Sequence, residues 1–65
     1  MLEIEGSKYL AAKLAASVLG LSVETLRSWR YSGKNIDDLP YFKRFDGRIY
    51  YKEEDVNNLK GKFIN

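Results

Sequence analysis

The chain has 65 residues, a net charge of +2, and neither cysteine nor histidine. That length supports one domain with a small core, near the lower size at which chains fold without staples. Disulfides and thiolate metal sites are excluded, and a transition-metal site would have to be built from carboxylates alone, so no metal or other cofactor is expected.

The charge is unevenly spread. Residues 27–52 carry Arg27, Arg30, Lys34, Lys43, Arg44, Arg48 and Lys52 against Asp37, Asp38 and Asp46, a local +4, whereas the flanks 1–26 and 53–65 carry −1 each. A basic middle between acidic ends suits a polyanionic partner, and equally an ordinary solvated surface.

In chain order, Met1 to Ser7 show no period and are expected to fray, with Tyr9-Leu10 as a short extended piece. Leu10 to Val23 is apolar enough to raise a signal-peptide reading. Glu3 and Glu5 make its leading segment acidic, Lys13 interrupts it, and it is too short to span a bilayer, so a cytoplasmic chain is expected. Helix 1 is expected from about residue 11 to 19, with Ala12, Ala15, Ala16 and Leu19 as its inward stripe. Gly20 stops it, and Leu21 packs into the corner.

Ser22 is a suitable N-cap for helix 2, over about 23–31, and Glu24 suits its positive end. Val23, Leu26, Trp29 and part of Arg30 share one side of this helix. Glu24, Ser28 and Tyr31 point the opposite way, with Thr25 and Arg27 on the flanks. Ala16, Gly20 and Leu26 thus stand in the spacing A-x3-G-x5-L. A small residue, a left-handed turn glycine and a large aliphatic are what two short helices need to cross steeply.

Lys34 to Leu39 is a linker. Tyr41–Phe45 and Arg48–Tyr51 then form β-prone runs joined by Asp46-Gly47, the signal for a hairpin over about 41–51 with a type I′ turn. That turn pairs Phe42 with Tyr51, Lys43 with Tyr50, Arg44 with Ile49 and Phe45 with Arg48. Glu53-Glu54-Asp55 opens helix 3, whose inward side is Val56 and Leu59 and which Gly61 ends near residue 60. The expected fold is a single domain over 1–65, mainly α with a small β-hairpin: a winged helix-turn-helix of two helices, a two-stranded wing and a third helix.

Three segments carry a family resemblance: Ala15-Ala16-Ser17-Val18-Leu19-Gly20-Leu21-Ser22, Thr25-Leu26-Arg27-Ser28-Trp29-Arg30, and Gly47 through Val56. Together, over roughly residues 9–60, the chain resembles the DNA-binding domains of the MerR and excisionase superfamily. The resemblance implies that helix 2 enters the major groove of double-stranded DNA and that the wing touches backbone or minor groove. By position it implies DNA contacts from Thr25 and Arg27 at the start of the recognition helix and from Arg48 in the wing. The chain departs from the family at Ile49, where MerR-type wings carry an arginine, so Arg48 or Arg44 would take that role. MerR regulators also continue into a dimerisation helix and an effector-binding segment. Because the chain stops at Asn65, the expectation is an excisionase-like factor or a small transcriptional regulator of a mobile element such as a phage.

Arg27 and Arg30 can pair with phosphates or read guanine edges, or form ion pairs with Glu24 or with Asp37 and Asp38. Glu24 can accept from a cytosine amino group, although the helix dipole alone explains its place. Ser22, Ser28 and Tyr31 complete the candidate contacts on helix 2, and Lys43, Arg44 and Arg48 are the phosphate candidates of the wing. Trp29 reads as core. Most of Tyr41, Phe42, Phe45, Tyr50 and Tyr51 are expected to fill the core, leaving one or two exposed. The sequence has no nucleophile motif, and Glu53, Glu54 and Asp55 are adjacent and cannot converge on one substrate, so no enzyme is expected. The chain is expected to be a monomer in isolation, or weakly cooperative on DNA. Two other classes stay open: an adaptor binding an integrase, polymerase or packaging subunit, and a single-strand binder stacking bases on the hairpin aromatics.

Overall fold

The computed structural model describes residues 2–64, and side chains through residue 63. Its elements are β1 (Leu2–Ile4), β2 (Ser7–Ala11), α1 (Ala12–Leu19), α2 (Val23–Ser32), β3 (Tyr41–Lys43), β4 (Ile49–Lys52) and α3 (Glu53–Ile64). Four antiparallel strands form one sheet in the order β1-β2-β4-β3. The chain is therefore a small α+β domain and not a mainly α one. The expected single hairpin accounts for only half of its strands.

The missing half lies where the N-terminal residues were expected to fray, Met1 itself being outside the described residues. Leu2 pairs with Tyr9, Glu3 with Lys8 and Ile4 with Ser7. The alternation Leu2-Glu3-Ile4-Glu5 suits a strand with one apolar face. Its two-residue turn places Glu5 at φ 51° and Gly6 at φ 82°, so the type I′ geometry expected at Asp46-Gly47 occurs here instead. Strand β2 then pairs with β4, Leu10 opposite Tyr51.

At Asp46-Gly47 only the glycine has positive φ, at 88°. The Gly47 N–H donates to the Arg44 carbonyl at 2.9 Å, and the Arg44 N–H donates to the Arg48 carbonyl at 2.8 Å. The loop therefore has three residues, Phe45-Asp46-Gly47, in the type I turn plus glycine bulge that is the next commonest hairpin connection. Tyr41 pairs with Tyr51, Phe42 with Tyr50 and Lys43 with Ile49. The register is one residue away from the expected one, and every side chain of β3 changes face.

Helices α1 and α3 pack on β2 and β4, and α1 also meets α2. The core consists of Leu10, Ala15, Ala16, Leu19, Leu26, Leu39, Tyr51, Val56 and Leu59, with Ala12, Leu21, Trp29 and Ile49 half-buried against it. Gly20 ends α1 at φ 72°, a conformation a side chain would strain. Its N–H donates to the Ser17 carbonyl and that of Leu21 to the Ala16 carbonyl at 2.9 Å, the paired bonds of a Schellman cap. The cap aims the chain so that Leu26, at 0% exposure, drops onto Ala15 and Ala16 in the shared core.

Helix α3 does not stop at Gly61. That residue is absent from the positive-φ set. Beyond it, Phe63 stands edge-on to Trp29 (centroids 6.4 Å apart, 72°), and Lys62 Nζ lies 2.9 Å from Asp38 Oδ1. Those contacts draw the helix onward across the 33–40 loop. The Trp29 ring packs on the core, as expected, whereas Val23 is exposed.

Candidate nucleic-acid interface

Helix α2 is capped by Ser22, whose Oγ accepts from the Thr25 N–H at 3.2 Å and lies 2.9 Å from Thr25 Oγ1. Both hydroxyls, two of the expected DNA contacts, thus take part in the helix start. The outward side of α2 presents Glu24, Arg27, Ser28 and Tyr31, as the helical period requires. Tyr31 is 79% exposed, and the Arg27 guanidinium sits 5.6 Å from its ring centroid. The Tyr31 hydroxyl, and after it the Glu24 carboxylate, hold the Arg27 guanidinium more firmly charged than usual.

Between α2 and the β3–β4 hairpin runs a cleft of about 420 Å³ lined by Val23, Glu24, Arg27, Arg30, Tyr31, Tyr41, Lys43, Gly47 and Ile49. A shallower depression continues from it over Ser28 and Ser32. Among the described residues, three cations, Arg27, Arg30 and Lys43, thus line one cleft whose only carboxylate is Glu24. Among the described residues no ion pair engages any of the three, so the alternative pairing of Arg27 or Arg30 with Asp37 or Asp38 is not formed.

Arg30 is set differently from its neighbours. Its Nη1 donates to the Tyr51 hydroxyl at 2.7 Å, and its guanidinium lies 5.9 Å from the Tyr41 ring. Tyr51 is almost wholly buried, so this bond ties the cleft wall to the core.

The one-residue register shift decides which hairpin cation enters the cleft. In the expected register Arg44 shares a face with Ile49 and Tyr51. In the observed one Lys43 does, while Arg44 turns to the other side of the sheet. There Arg44 donates to the Tyr50 hydroxyl at 3.4 Å and lies 3.9 Å from Asp46 Oδ2. The Arg44 hydrogen bond lowers the Tyr50 phenol below its ordinary value, against the opposing effect of burial. Arg48 lies at the hairpin end, with Nε 3.6 Å from the same carboxylate. Arg44 and Arg48 therefore do not line the cleft.

Comparison with known proteins found no matching family model, no similar curated protein and no similar solved structure. The site rests on its own geometry. Among the described residues, no helix is long and apolar enough to cross a membrane.

Sequence reasoning missed Tyr41, Val23 and Ile49 as cleft residues, and Phe45 as a fully exposed ring. Tyr41 follows from the register alone, because it is two residues from Lys43 on one strand face. Of the five hairpin aromatics, Tyr50 and Tyr51 are buried while Tyr41, Phe42 and Phe45 are exposed. The helices that pack on the sheet leave these rings of β3 and its loop uncovered. Phe42 meets Tyr9 instead, their centroids 5.9 Å apart.

Proposed function

We propose that this chain binds double-stranded DNA, with α2 lying in the major groove and the β3–β4 hairpin acting as the wing of a winged helix-turn-helix. The observation that carries this reading is the convergence of Arg27, Arg30 and Lys43 on one cleft between the two elements. One phosphodiester strand separates a major groove from the neighbouring minor groove. A cationic cleft with a helix on one side and a hairpin on the other fits that strand, the helix entering one groove and the hairpin the next. Ten residues give α2 a length of about 15 Å, enough to present two to three turns to base edges.

Arg27 and Lys43 then neutralise phosphates, Ser28 and Tyr31 face the groove floor, and Arg30 holds the cleft wall while offering its remaining N–H groups. The chain's role is binding without catalysis. The resemblance of the α1–α2 segment and of Gly47–Val56 to MerR and excisionase domains supports an excisionase-like or regulatory role on a mobile element. One copy offers few contacts, so useful affinity calls for repeated sites or a protein partner.

A second reading is favoured by one observation. The Tyr9–Phe42 pair on the outer sheet face suits a protein partner of the adaptor kind. Fluorescence anisotropy with a labelled duplex separates the two. Binding that Arg27→Ala and Lys43→Ala each weaken supports the DNA reading, and a wild-type chain that binds no duplex at low salt overturns it.

A further inference from the structure

The loop at the hairpin end carries a side chain that the turn does not need. Phe45 is 96% exposed, the most exposed of the large apolar side chains among the described residues. It occupies the first central position of the type I turn, which accepts most residue types and gains nothing from an aromatic ring. Neither the core nor the aromatic Tyr9–Phe42 pair touches it.

The loop beneath it is well tied. The Arg48 N–H donates to Asp46 Oδ1 at 3.0 Å, adding to the backbone bonds between Arg44 and Arg48 and between Gly47 and Arg44. Asp46 is thereby occupied with the turn and with the two arginines. The Arg44 guanidinium is 5.6 Å from the ring centroid, and the Arg48 side chain, 72% exposed, lies with Arg44 beside the same Asp46 carboxylate. Gly47, one residue from Asp46, lines the same cleft as the first turn of α2.

We propose that Phe45 is a wedge that enters the minor groove and partly unstacks a base step, kinking the duplex that α2 holds. The inference rests on the DNA-binding reading above. An apolar ring on a fixed tip that also carries arginines is what kinking proteins insert from the minor-groove side, where the arginines meet the backbone and the narrow groove's negative potential. The cleft places that tip one phosphodiester strand away from the helix. Flexible pyrimidine–purine steps are the preferred point of entry.

The test uses an end-labelled duplex of about 24 base pairs, recovered by the wild-type chain from a randomised pool, with energy transfer between its ends reporting the bend. The wild-type chain shortens the end-to-end distance. Phe45→Ser lowers the urea midpoint only slightly, through the lost Arg44 contact, binds about tenfold more weakly and leaves the duplex straight, while Phe45→Leu retains most of the bend. If Phe45→Ser binds and bends as the wild type does, the wedge is refuted and the DNA-binding reading stands. A wild-type chain that recovers and binds no duplex overturns the DNA reading and the wedge with it.

Discussion

Replacing Arg30 by methionine separates its two tasks, because methionine keeps the apolar stem and removes the guanidinium. In the folded chain Nη1 donates to the Tyr51 hydroxyl at 2.7 Å, and Tyr51 is 1% exposed. Arg30→Met leaves that phenol buried without a partner, which costs about 1–3 kcal/mol. Losing the guanidinium above the Tyr41 ring adds about 0.5–1 kcal/mol. Tyr51→Phe removes the same hydrogen bond from the other end. The half-exposed guanidinium then turns to water, so its cost is smaller, about 0.5–1.5 kcal/mol. The double variant should be less destabilised than Arg30→Met alone, because the unpartnered phenol is gone. Urea unfolding followed by Trp29 fluorescence reads all three against a total stability of about 3–10 kcal/mol for a domain of this size. Should Arg30→Met prove no more destabilising than Tyr51→Phe, the bond does not hold the cleft wall and Arg30 is simply a surface cation.

Leu26→Ala, at the point where α2 meets Ala15 and Ala16, should lose about 2–5 kcal/mol and leave a large unfolded fraction by circular dichroism at room temperature. Gly47→Ala should cost about 1–2 kcal/mol through its φ of 88° alone, since no atom lies within 4 Å of the added carbon; a neutral effect in urea unfolding would contradict the bulged turn. Tyr50 should ionise below the ordinary tyrosine value of about 10 in an ultraviolet absorbance titration, and Arg44→Gln should move it back up. Because its folded pKa is depressed, the pair adds stability only at alkaline pH, fully above the unfolded value, and that increment disappears as pH falls through the folded one.

The helical part of the fold was legible because each signal was local. Ala16, Gly20 and Leu26 define the turn, Ser22 caps α2, and Val56 and Leu59 mark the buried side of α3. The first hairpin was overlooked because Glu5 in the left-handed region is an uncommon choice, so Glu5-Gly6 does not advertise a type I′ turn as Asn-Gly does. Asp46-Gly47 failed in the opposite way. The dipeptide fits both a two-residue and a three-residue loop, and the choice rests on whether Tyr41 or Phe42 lies opposite the buried Tyr51. That single step exchanged Arg44 for Lys43 in the cleft. Glu24, Ser28 and Tyr31 lie on the outward side of α2 as expected, since helical period alone sets them there, and Arg27, expected on the flank, is exposed beside them. The extension of α3 past Gly61 depends on Trp29 and Asp38, which are remote in sequence and leave no local mark.

The salt dependence of duplex binding tests the central claim most directly. Three cleft cations neutralising about three phosphates contribute about −2.7 to the slope of log K against log salt, and Arg27→Ala or Lys43→Ala should each reduce it by about 0.9. A slope near zero, or one that neither substitution changes, would mean that the cleft does not hold a nucleic-acid backbone.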